Sequence, residues 1–140
     1  MNFIRITKVV VLVLCTSLCL SFVSAEDNNA QYKLIFFEGS DWCMNCIRFE
    51  KKVLSETIFE DFMASYAIEV ERIDFPQRKQ LDENTKQYNV SVAEKYNFQG
   101  IFPTLILVHI ETDTALELTY RNQDPSTFVS YVKSKLNELK

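Results

Sequence analysis

Two cysteines three positions apart, Cys43 and Cys46, stand where an apolar run has just ended and a helical pattern begins, and this placement constrains the chain more than any other feature. The surrounding run reads Ser40-Asp41-Trp42-Cys43-Met44-Asn45-Cys46. A structural disulfide gains most by closing a long loop, and a loop this short restrains the unfolded chain little. Structural zinc takes about four N or S ligands. Leaving aside Cys15 and Cys19 near the N-terminus, the chain adds only His109 to the pair. A dithiol that opens and closes during turnover accounts for the spacing without further partners.

The compartment follows from the N-terminus. Arg5 and Lys8 precede an uncharged stretch from Val9 to Val23, and Val23-Ser24-Ala25 supplies small residues before Glu26. The stretch falls short of the roughly 20 apolar residues of a membrane span and matches the core of a secretory leader. Residues 1–25 are therefore expected to be a cleaved signal peptide, and residues 26–140 one domain. Removing the leader removes Cys15 and Cys19, and takes Arg5 and Lys8 from a formal charge of −4, leaving −6. An acidic chain with scattered Lys and Arg has no footprint for nucleic acid, which is excluded as a partner. With 47% apolar and 24% charged residues there is ample material for one core.

Along the chain, Tyr32 to Phe37 reads as a buried strand and Glu38-Gly39-Ser40-Asp41 as a break. A helical pattern then runs from about Cys43 through Ile47, Leu54, Ile58 and Phe62, divided near Ser55-Glu56-Thr57. Ala67 to Phe75 reads as a second strand. Residues 77–88 form a polar excursion that leads into a helix carrying Tyr88, Val92 and Tyr96. After a loop from Asn97 to Pro103, Thr104 to Ile110 and Ala115 to Tyr120 form a hairpin. Asp124-Pro125 caps a closing helix. The order β-α-β-α-β-β-α implies an α/β fold with a mixed central sheet and helices on both faces. Gly39 and Gly100, the two glycines, mark loops expected at one edge of that sheet, near Cys43.

These residues resemble the thioredoxin superfamily over about residues 32–140. The shared features are the apolar strand, Trp42-Cys43-x-x-Cys46 opening a helix, and Pro103-Thr104 beginning an apolar hairpin. Gly39-Ser40-Asp41-Trp42-Cys43, Asp74-Phe75-Pro76, Glu94-Lys95-Tyr96 and Phe102-Pro103-Thr104 resemble secreted bacterial members related to thiol-disulfide interchange domains. The resemblance implies a thioredoxin-like fold with Cys43 as nucleophile, Cys46 as resolving thiol and Pro103 as a cis-proline facing the disulfide. Trp42, Phe102 and Pro103 would then meet substrate, an extended segment pairing with the Phe102 backbone. Elementary chemistry agrees: a cysteine at a helix N-terminus has its thiolate stabilised and titrates below the usual ~8.5.

The chain also departs from the family. Thioredoxins carry a buried Asp six residues before the first cysteine, and Phe37 stands there. Glu38 is adjacent and is the candidate proton acceptor for Cys46, although strand alternation turns it to the opposite face, so a solvated side chain is the weightier expectation. Met44-Asn45 matches neither reductases nor strong oxidants of the family, and one extra residue separates Gly100 from Pro103. His109 is expected to be structural, ~20 Å from the active edge on a strand rising ~3.3 Å per residue. Asn89-Val90-Ser91 has the form of a glycosylation sequon but falls in the expected helix.

The expected function is an exported, periplasmic thiol-disulfide oxidoreductase. It would act as a monomer and more as reductase than oxidase on cysteines of other exported proteins, without cofactor or metal. A membrane electron-transfer partner would supply or accept its electrons. The alternative is a thioredoxin-like binding or copper-handling module, since two soft thiolates can hold Cu(I).

Overall fold

The computed structural model describes residues 30–139; the expected leader, with Cys15 and Cys19, lies outside them. Strand β1 spans Tyr32–Glu38. Helix α1 follows at Met44–Phe49, a π-helical turn at Glu50–Leu54 and helix α2 at Thr57–Ser65. Then come β2 (Ile68–Asp74), α3 (Glu83–Lys95), β3 (Thr104–His109), β4 (Thr114–Leu118) and α4 (Pro125–Glu138). The expected element order holds.

The strands form a sheet in the order β2-β1-β3-β4, with β1 parallel to β2 and antiparallel to β3. As an inner strand covered on both faces, β1 has no room for polar alternation, and this is why it reads as a continuous apolar run. Tyr32, Leu34 and Phe36 face Phe49, Val53, Phe59, Phe62 and the α4 residues Phe128, Val132 and Leu136. Ile35 and Phe37 face the other way, with Ile73, Ile106 and Val108, onto Val92 of α3. Phe37 pairs with Thr104 at the first residue of β3, so the loops containing Gly39 and Gly100 share one sheet edge, as the topology requires.

Two helical stripes differ from the expectation. Between Cys43 and Ser65 the buried residues are Cys46, Phe49, Val53, Leu54, Phe59 and Phe62, while Ile58 is exposed and Ile47 half-buried. The reason is phase: the π turn, closed by Ser55 N–H donating to Glu50 O at 3.0 Å, and the break at Ser55–Glu56 reset the helical period twice. In α3 the helix begins inside the expected polar excursion, because the Asp82 carboxylate accepts from the Thr85 N–H at 3.0 Å and caps it. That start leaves Tyr88 exposed and buries Asn89 and Val92. Asn89 donates to the Asp74 carbonyl at 2.7 Å from a buried site, so the sequon asparagine is inside the protein. At α4, Asp124 caps as expected, accepting from the Thr127 N–H at 3.0 Å, with Pro125 at the first helical position.

His109 sits at the far end of β3, edge-on to Tyr32, and its Nδ1 accepts from the Thr112 N–H at 3.3 Å, a structural role. Among the described residues no helix is long and apolar enough to cross a membrane.

Candidate active site

Four residues of loop carry the chain from the end of β1 to Cys43, which caps α1 in an extended conformation. Cys43 and Cys46 are joined as a disulfide with Cα atoms 5.2 Å apart. Cys43 Sγ accepts from the Cys46 backbone N–H at 3.1 Å. Once the bond opens, that donor and the free N–H groups of the first turn favour an anion on Cys43. Burial separates the two sulfurs: Cys43 retains 6% exposure and Cys46 none. An attacking group from outside meets Cys43 first.

The loop before Cys43 is tied to the loop after β2 from both sides. Ser40 donates through its backbone N–H (2.9 Å) and its hydroxyl (2.8 Å) to the Asp74 carboxylate, which also pairs with Lys79 at 2.6 Å. In return, the Asp41 carboxylate accepts three backbone N–H groups, from Gln77, Arg78 and Lys79, at 2.8–2.9 Å. Burial pushes the Asp74 carboxyl up, but Lys79 and the two Ser40 donors more than offset it and hold it below the ordinary carboxylate range. Asp41 is likewise pushed up by burial and carried below that range by its three backbone donors. A folded-state value below the unfolded one adds stability that is fully present above the unfolded value, near ~4, and is lost as pH falls through the folded value. Asp41→Ala should therefore melt below the wild type at pH 6–8, with the gap closing below about pH 4. Thermal melts across that range check it.

Trp42 lies across this junction, half-buried, with its Nε1–H donating to the Phe75 carbonyl at 2.8 Å and its ring edge-on to Phe102 at 5.2 Å. Its indole covers Gly39 so closely that a Cβ there would come within 2.4 Å of the ring. Gly39→Ala must therefore displace Trp42, at a cost of about 1–3 kcal/mol. Trp42 is the single tryptophan, so its fluorescence reports the displacement directly, alongside a lowered melting temperature.

Phe102 and Pro103 stand at the same sheet edge, joined by a cis peptide bond, and Phe102 packs against the cores of both faces. Ile101 and Met44, the chain neighbours of Phe102 and Cys43, are apolar and each 67% exposed. The structure thus gathers Trp42, Cys43, Cys46, Phe102 and Pro103 at one edge.

Glu38 departs from the expectation of a solvated side chain. It is 3% exposed, on the face that carries α1, and both its oxygens are engaged by Arg72, at 2.7 Å to Nε and 3.0 Å to Nη2. Its neighbour in the sequence, Phe37, faces α3 instead. Alternation holds, but the face opposite Phe37 is covered by α1 and is not open to solvent. Arg72 also reaches Glu50 and lies 5.6 Å over the Phe36 ring. Ser40, Asp41 and Asp74 stand in the motifs that carry the resemblance but their pairing is not legible there, and neither Glu50 nor Arg72 stands out in the sequence. The one available signal was the alternation that sets Arg72 on the strand face of Ile68 and Val70.

No protein-family model matches the chain. A curated relative, the disulfide bond reductase DsbH of Chlamydia pneumoniae, is 33% identical over 102 residues, 73% of this chain. The chain spans 60% of that relative's length. A solved DsbH oxidoreductase superposes with a TM-score of 0.70 at 29% identity, over 77% of this chain and 74% of the other. This chain has a thioredoxin-like fold. Two more distant structures share that fold at 13% identity and TM-scores of 0.53. They are a thioredoxin from Thermus thermophilus, covering 78% of this chain and 76% of its own, and the reduced C-terminal domain of Neisseria meningitidis DsbD, covering 91% and 95%. On this fold the chain places an ion-paired glutamate, Glu38, one position after Phe37.

Proposed function

We propose that the chain is an exported thiol-disulfide oxidoreductase working as a reductase of disulfides in other exported proteins. The observation that carries this reading is the asymmetric disulfide: Cys43, at the helix start, is the reachable sulfur, and Cys46 is closed off behind it. Likeness to DsbH, a disulfide bond reductase, supports the direction. In the reduced enzyme the Cys43 thiolate attacks one sulfur of a substrate disulfide, forming a mixed disulfide and releasing the other sulfur as thiolate. Cys46 then loses its proton and attacks Cys43, the substrate sulfur leaves, and an electron pair has passed from the enzyme dithiol to the substrate. A dithiol delivered by a membrane electron-transfer partner restores the enzyme.

Trp42, Phe102 and Pro103 border the disulfide and are the proposed substrate contacts, with the Phe102 backbone pairing an extended segment. Glu38 enters as an acid held by Arg72 rather than as a free proton acceptor for Cys46. The enzyme is proposed to act as a periplasmic monomer after removal of residues 1–25, with no cofactor or metal.

Cys46→Ser tests the reading, because without the resolving thiol the mixed disulfide cannot proceed. Expressed in the exporting cell, the variant should accumulate covalent, thiol-reversible adducts through Cys43 to exported proteins. An absence of such adducts, with Cys43 free and reduced, would overturn the reading.

A further inference from the structure

Beneath the redox helix lies a group of charges that the exchange reaction does not use. Arg72, on the α1 side of β2 with its side chain 44% exposed, grips Glu38 with two hydrogen bonds and approaches Glu50 Oε2 with Nη1 at 2.6 Å, an ion pair without an aligned hydrogen bond. Two carboxylates share one guanidinium, so the trio carries a surplus negative charge, and Glu50 is its more loosely held member. Glu50 also follows Cys46 by one helical turn: its N–H donates to the Cys46 carbonyl. Side chains four apart on a helix lie on one face, with Cβ atoms about 6 Å apart. The Glu50 side chain therefore leaves the helix on the face that carries the fully buried Cys46, with its carboxylate drawn to Arg72.

We propose that Glu50, steered by Arg72, is a positioning residue that keeps Cys46 protonated until the resolving step, resting on the redox reading given above. The other charged groups around α1 do not cancel it. Asp74 is matched by Lys79. The Asp41 carboxylate is saturated by backbone donors on the loop after β2. Arg48 points to the opposite flank, bonded to Asn45 and Asn122 near the buried Tyr120 hydroxyl. The β3 edge contributes uncharged Phe102 and Pro103. A negative charge near a thiol disfavours its anion. In the resolving step the Cys46 S–H bond breaks, its proton passes to solvent, the Cys43–Cys46 bond forms and the bond from Cys43 to the substrate sulfur breaks. A thiol held neutral makes this step slow at low pH and faster as pH rises, and lets the mixed disulfide persist long enough for substrate to dock.

The test is the titration of Cys46 in the reduced full chain, followed by NMR of Cβ-labelled cysteine. Glu50→Gln removes the surplus charge at a partly exposed site and should make Cys46 about tenfold more acidic, with screening limiting the effect. Arg72→Met removes the cation and should make Cys46 less acidic, and Arg72→Lys should restore the wild-type midpoint. Opposite signs from the two neutralising changes are what a merely structural role would not produce. Should Arg72→Met fail to fold, Glu50→Gln and Arg72→Lys decide alone. An unmoved midpoint in Glu50→Gln, or movement of both neutralised variants in one direction, overturns the proposal. Titration needs no substrate, so a wild type that reduces insulin with an unmoved Glu50→Gln midpoint sinks this inference alone. A wild type unable to reduce insulin sinks the functional reading instead.

Discussion

Cys43→Ser should reduce insulin disulfides no faster than the reductant in the assay does by itself, a loss of roughly a thousandfold or more. The magnitude follows from what is removed. A serine hydroxyl at this position stays protonated at neutral pH, so the attacking anion disappears while the helix cap, the Cys46 N–H and the apolar border remain in place. Cys46 cannot substitute, because it has no exposed surface through which a substrate disulfide could approach. The check is turnover of wild type and variant at equal concentration, with a melting curve to show that the variant is folded. Equal rates would end the enzymatic reading, and a variant as slow as buffer but as stable as wild type apart from the lost disulfide would support it. Since the disulfide closes so short a loop, its loss should lower stability little by the chain-entropy argument.

The second large effect concerns stability. Phe49→Ala should cost about 3–5 kcal/mol and lower the melting temperature by about 10–20 °C. Phe49 is fully buried on the helix that carries the cysteines and meets the rings of Phe36 (5.2 Å), Tyr120 (4.7 Å) and Phe128 (5.4 Å). Its removal opens a cavity between β1, α1 and α4, and three aromatic neighbours on three different elements cannot all collapse into it. Because Cys46 precedes Phe49 by three residues and shares its buried face, the variant should also loosen the geometry of the redox pair. Denaturant unfolding of both forms, with an unchanged slope, measures the cost. A shift below ~1 kcal/mol would show that the core around α1 repacks freely.

Comparison of the elements shows where local pattern suffices. The β1 run, the Asp124-Pro125 cap and the β3–β4 hairpin are local signals, and each appears in the structure where its residues placed it. The stripe through Ile47 and Ile58 fails for a physical reason. Periodicity assumes a single phase, and a π turn inside the segment alters the phase with no composition cue of its own. The start of α3 was hidden because one carboxylate, Asp82, converts a polar stretch into the first turn of a helix.

The site divides the same way. Cys43, Cys46, Trp42 and Pro103 were visible as types and spacings, since the chemistry of a close dithiol at a helix start depends on neighbours in the chain. Ser40 and Asp74, Glu38 and Arg72, and Asp41 and Gln77 each lie more than thirty residues apart, and no spacing rule links them. They are brought together by the parallel register that sets Phe36 beside Arg72 and Glu38 beside Asp74.

By itself, then, the order of residues determined which two cysteines form the close pair, that β1 would be buried and where the first and last helices could begin, because each of these rests on backbone preference or apolar periodicity over a few positions. Only the tertiary structure decided that Glu38 is covered rather than solvated, that one arginine is shared by two acids, and that Trp42 bridges Gly39 and Phe75. Burial and charge pairing are properties of surfaces brought into contact, and a chain acquires them only when its strands have chosen their neighbours.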